Sequence, residues 1–218
     1  ENFDISGNIL YTDQYPGSPS GEAPGIFITP ASSADVRNVR IHSNTFLRLG
    51  YPAIRIWGAS SLLVRDNIFV DSGIDFGGSA SQINSNYNLF YTTPGSTDRA
   101  TPWSSEGPNS LIQVDPQLVN YVRHQSYDVH LKATSPAIDR GDPNLASLFI
   151  LPSPFVDIDG TNRPQDGPDA DLVAQFDMGA FEYPGGAGTP DTTPPTVSVT
   201  APPAGSTVSG STVVVSAN

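Results

Sequence analysis

The chain contains no cysteine, a single lysine (Lys132) and no apolar run long enough to cross a bilayer. Without cysteine there are no disulfides, and nothing in the sequence reports the redox compartment. Basic residues are scarce, 10 against 22 acidic ones, and the net charge of −12 would repel a polyanion, which excludes nucleic acid as a partner. A nucleophile motif, a phosphate-cradling glycine loop and histidine–cysteine metal spacing are all missing. Helix-favouring composition is missing too. What is plentiful instead is 21 Pro, 20 Gly and short runs of Val, Ile, Thr and Phe, which predict an all-β chain of short strands and turns.

One phrase recurs: NFDISGNIL at Asn2–Leu10, NVRIHSNTF at Asn38–Phe46, SLLVRDNIF at Ser61–Phe69 and a decayed QINSNYNLF at Gln82–Phe90. Its aligned asparagines, Asn8, Asn44, Asn67 and Asn88, are spaced by 36, 23 and 21 residues, and Leu10, Phe46, Phe69 and Phe90 each follow two places later. A period of this length built from short strands predicts a solenoid. Between the phrases lie GIFI (Gly25–Ile28), AIRI (Ala53–Ile56) and GIDF (Gly73–Phe76). Period-two alternation points Ile26, Ile54 and Ile74 to one face and Phe27, Arg55 and Asp75 to the other. Asparagine tolerates the left-handed backbone of a sharp corner. Identical amides roughly 4.8 Å apart can also hydrogen-bond in a ladder. The insertion Tyr11–Pro24 reads as a loop projecting from the stack.

This pattern resembles the right-handed parallel β-helix of the pectate-lyase-like superfamily, over about Glu1–Thr93. The chain opens inside a repeat phrase, which predicts further coils and an export signal ahead of Glu1. From Thr92 to Gly107 the pattern lapses into a polar loop. Beyond it, SPAIDRGDP, DIDGTNRP and DMGAFEY stand in order within Asp115–Tyr183, and this block is similar to the choice-of-anchor Q segment of exported bacterial β-helix proteins. The block is expected to cap the stack as irregular β structure, with Leu131, Ile138, Phe176 and Phe181 plugging its apolar end. PGGAGTPDTTPPT reads as a linker. TVSVTAPPAGSTVSGSTVVVSAN resembles the opening hairpin of a bacterial immunoglobulin-like repeat, whose complete sandwich would need sequence past Asn218. The expected organisation is therefore coils over 1–114, the cap over 115–183, the linker over 184–195 and a partial Ig-like hairpin over 196–218.

Enzymes of the resembled superfamily act on polysaccharides in a groove along one face. A lyase acting on uronate sugars needs a cation for the carboxylate and a base for the adjacent proton. Arg55 or Arg65 would supply the cation, His42 the base, and Asp75 stands beside Arg55. The plainer alternatives are a surface ion pair for Arg55–Asp75 and a solvated ring for His42. A hydrolase would use two carboxylates, for which Asp66, Asp71 and Asp75 are available. Tyr15, Phe27 and Trp57 are candidates to stack on sugar rings; for Trp57, packing in the core or at an edge is the alternative. Asp157, Asp159, Asp169 and Asp171 offer oxygen ligands to calcium, although no complete EF-hand frame is present and solvated turn aspartates are the plainer reading. No cofactor is required by any of this.

The leading expectation is an exported bacterial β-helix protein, secreted or held at the cell surface or wall through further C-terminal domains, that binds or processes extracellular polysaccharide. The alternatives are a non-catalytic adhesin or stalk using the solenoid as a rigid spacer, and a lyase or hydrolase whose catalytic residues lie outside this sequence.

Overall fold

The computed structural model describes residues 3–11, 24–29, 36–49, 52–121, 127–149, 151–168 and 171–185, and near the C-terminus 199–202, 205–210, 212 and 216–217. The described chain is nearly all β. The first three repeats each contribute one strand to each of three parallel sheets, and the fourth adds strands to two of them, which is compatible with a β-helix-like fold. The first sheet runs β1 (Phe3–Ser6), β4 (Val36–His42), β7 (Ala59–Arg65), β10 (Ser81–Asn86). The second contains β2 (Ile9–Tyr11), β5 (Thr45–Leu47), β8 (Ile68–Val70), β11 (Leu89–Tyr91) and β12 (Leu111–Ile112). The third is β3 (Ile26–Ile28), β6 (Ile54–Trp57) and β9 (Ile74–Gly77).

Register follows the repeat. Phe46 pairs with Phe69 and Phe69 with Phe90, and the rings stack at 4.9 and 4.7 Å with interplanar angles of 7° and 5°. Around this column, Ile26, Ile41, Ile54, Leu62, Val64 and Ile74 complete the interior between the sheets. The four asparagines form a ladder: the side-chain amides of Asn8, Asn44 and Asn67 each donate at 3.0 Å to the side-chain oxygen of the next asparagine. Each amide also closes its own corner by donating to the carbonyl two residues earlier. The ladder ends where the Asn88 N–H meets Ser110 Oγ and its side chain meets Glu106.

The left-handed corner residue is not the asparagine itself. It is the residue before it, Gly7, Ser43, Asp66 and Tyr87, all with φ between 53° and 65°. The asparagine supplies the hydrogen bonds that hold the corner, and its neighbour takes the backbone strain.

The C-terminal block does not plug the end of the stack. It lies along the flank, because the outward side of the second sheet is itself apolar. Leu47, Ile68, Val70 and Leu89 are covered by Leu118, Val129, Leu131, Ala137, Ile138, Met178, Ala180 and Phe181. Leu118 and Val129 belong to an antiparallel pair, β13 (Leu118–Tyr121) with β14 (Tyr127–Leu131). A single helical turn, α1 (Leu145–Leu148), brings Leu145 and Phe149 together with Phe176 against Leu63, on the outward side of the first sheet. Gly179 makes the closest approach: with φ at +100°, it donates to the Asp66 carbonyl at 2.7 Å, and a Cβ there would stand 2.7 Å from Ile68 Cδ1. The last strand of the third sheet, β9, is covered by the stretch expected to be a polar loop. There Trp103 meets Phe76 edge-on and Thr101 accepts the Ile74 N–H.

The described molecule divides into two compact units, Glu1–Gly186 and Ala187–Asn218. In the second, β15 (Val199–Ala201) pairs antiparallel with β16 (Ser216–Ala217).

Candidate functional site

The flanking segment packs against part of the outward sides of the first and second sheets, and among the described residues the third sheet, β3–β6–β9, carries two large exposed aromatics on its outward side. Alternation along β6 turns Ile54 and Ile56 inward and Arg55 and Trp57 outward. Register then sets Phe27 beside Arg55 and Arg55 beside Asp75, one strand apart each. Phe27 is 56% exposed and Trp57 45%. Arg55 Nε donates to Asp75 Oδ2 at 3.1 Å, and its guanidinium carbon lies 5.6 Å from the centre of the Trp57 ring. Trp57 lies across Gly77 of the next strand, where a Cβ would come within 2.7 Å of the indole Nε1. The missing side chain at Gly77 is what lets the indole lie close to the sheet. No signal in the sequence marked that glycine, since only the register reveals it as the floor under Trp57.

The expected pairing of His42 with Arg65 holds in register, but their surroundings differ from the solvated face expected of them. His42 is 1% exposed and Arg65 4%, because α1 and the chain after it cover this side. The His42 ring packs 4.3 Å from Phe149, with Nε2 3.1 Å from Asp4 and Nδ1 3.2 Å from Ser43 Oγ. The hydrogen bond from His42 holds the Asp4 carboxyl below its usual range. Arg65 donates to Asp142, to the carbonyls of Val64 and Asn84, and to Asn84 Oδ1 at 2.6–3.1 Å. Four of its five N–H donors are consumed inside the protein, and its burial keeps the group away from a substrate carboxylate. Asp66 and Asp71 are buried as well, accepting from the Asp142 N–H and from Thr93 respectively. Burial raises the Asp66 carboxyl to about 8, and its second oxygen has no hydrogen-bond partner among the described residues.

The acidic block serves the backbone. Asp157 accepts N–H groups from Asp159, Thr161 and Glu182, and Asp171 accepts that of Val173. Asp159 instead reaches His130 Nε2 at 2.7 Å, while Asp128 holds the other ring nitrogen at 2.5 Å. Among the described residues, no three acidic or histidine side chains gather to hold a metal ion. Asp169 and Tyr15 lie outside the described residues. The three C-terminal phrases converge on each other: Asp177 accepts the N–H of Asp139, Glu182 accepts that of Gln165, and Arg163 donates to the Gly179 carbonyl. Arg163 Nε stands 3.1 Å from Glu182 Oε2, an ion pair whose N–H is not aimed along a hydrogen bond. Burial and the neighbouring Glu182 charge raise Asp177 to about 8, and burial raises Glu182 to about 7.

No family model, curated protein or solved structure matches the chain.

Proposed function

We propose that this protein binds extracellular polysaccharide on the open face of its third sheet. The observation that carries this reading is the row on the outward side of the third sheet, with Phe27 and Trp57 exposed and the half-buried Arg55–Asp75 pair beside them. Aromatic rings held flat on a sheet stack against the apolar faces of sugar rings, and the flanking polar pair offers hydrogen bonds to hydroxyls. The fold that supports this use is a right-handed parallel β-helix of the pectate-lyase-like kind, followed by a choice-of-anchor Q-type segment and the beginning of an Ig-like module. The same resemblance supports a bacterial protein that is exported or displayed at the cell surface.

Binding without catalysis is the form of the reading that the side chains favour. A uronate lyase needs a free cation and a free base, and His42 and Arg65 are enclosed and partnered. In affinity electrophoresis through gels carrying soluble glycans, the protein should be retarded. Replacing Trp57 with Ala should weaken that retardation about tenfold, the loss expected of a principal aromatic contact. Ultraviolet absorbance of unsaturated products should not rise on incubation with uronate polymers. Retardation that survives Trp57→Ala unchanged would sink the assignment of this face.

A further inference from the structure

Resting on that reading of the face, we infer that its ligand is a neutral glycan and that Asp75 is the residue that turns uronate polymers away. Arg55 is the cation between the two exposed aromatics, and its charge is already opposed. Asp75 accepts from its Nε at 3.1 Å, and the guanidinium also lies against Trp57. A sugar carboxylate approaching Arg55 would have to stand beside the Asp75 carboxylate, and like charges at that separation repel.

The segments joining β3 to β2 and β4, residues 12–23 and 30–35, contain Asp13, Glu22 and Asp35 and neither Lys nor Arg. Arg99 enters the coil after β9, two residues ahead of Thr101, whose carbonyl takes the Ile74 N–H. It therefore sits beyond the Asp75 end of the row, away from Phe27 and Trp57. Lys132 follows β14 on the flanking segment. The net charge of −12 adds a long-range field that disfavours polyanions.

The aromatics suit an uncharged chain. Phe27 pairs with Arg55, two residues short of Trp57, so the two rings are offset by one strand and two residues, about 8 Å. Both look outward from one sheet face. They form a platform that meets two different sugars along a chain, rather than a clamp on one.

The test compares gels containing neutral polymers (a glucan, a mannan, a xylan) with gels containing polygalacturonate or alginate, using the whole chain at low salt. Retardation by at least one neutral polymer and by neither acidic polymer is expected, with Trp57→Ala reducing it about tenfold. Asp75→Asn, which keeps the shape and removes the charge, should create measurable retardation by polygalacturonate. Wild-type retardation by an acidic polymer that disappears in Trp57→Ala would overturn the neutral assignment while leaving glycan binding intact. Absence of retardation by every polymer would instead remove the binding reading itself. An Asp75→Asn protein that still ignores polygalacturonate, while retaining its thermal midpoint, overturns the role given to Asp75.

Discussion

Each ladder asparagine performs two tasks at once: it closes its own corner and pairs with the next coil. Asn67 is the fullest case, since its amide nitrogen donates to Ile41 O, Arg65 O and Asn88 Oδ1 while its oxygen accepts from Asn44. All of this is buried, so removing the amide strands several partners away from water. Asn67→Ala should cost about 1–3 kcal/mol in urea unfolding, the range for a buried polar group left unpaired. A change under about 0.5 kcal/mol, typical of a surface site, would mean the ladder is incidental. The left-handed position before each asparagine was not legible, because glycine, serine, aspartate and tyrosine occupy it in turn. A site where the neighbouring coil supplies the hydrogen bonds can hold a costly backbone conformation with almost any side chain.

At the scale of elements, the flanking segment is held by a few close contacts over a large apolar patch. Gly179 sits at the tightest of them, with a positive φ and no room for a methyl group beside Ile68. Gly179→Ala should destabilise the protein by more than about 1 kcal/mol through backbone strain and overlap together. Amide exchange should locate the damage: faster exchange at Met178–Ala180 and at the Asp142 N–H, with the ladder amides of β5 and β8 less affected. Equal acceleration throughout would show that flank and stack open as one unit. Among the described residues no apolar segment packs on the outward side of the third sheet, where Phe27 and Trp57 are exposed and Arg55 and Asp75 are half-buried.

For the whole molecule, several buried carboxyls make stability depend on pH in a defined direction. Asp66, Asp177 and Glu182 have folded-state values raised to about 8, 8 and 7, above those of the unfolded chain. The folded protein therefore holds protons that the unfolded chain releases, and stability declines as pH rises from about 4 through 8. His130 acts in the same sense. Burial opposes its charge, but hydrogen bonds to Asp128 and Asp159 outweigh this and raise its pKa. Its contribution is complete below about 6.5 and fades as pH climbs through the raised value. The thermal midpoint should fall between pH 5 and pH 9, and Asp66→Asn should flatten part of that slope. A midpoint that climbs over this interval contradicts the assignment.

The repeat itself was readable because identical residues one coil apart become each other's partners. Phenylalanine stacks on phenylalanine and amide bonds to amide, so periodicity in one dimension specifies register in three. What covers the stack could not be read that way. The bonds that dock the flank join Asp66 to Asp142, Arg65 to Asp142 and Thr45 to Ala180, across 76, 77 and 135 residues. Nothing repeats at those separations, so His42 and Arg65 looked as exposed as Arg55 until the fold enclosed them. Periodicity determined which side chains point outward, and long-range packing alone decided which of those still meet water.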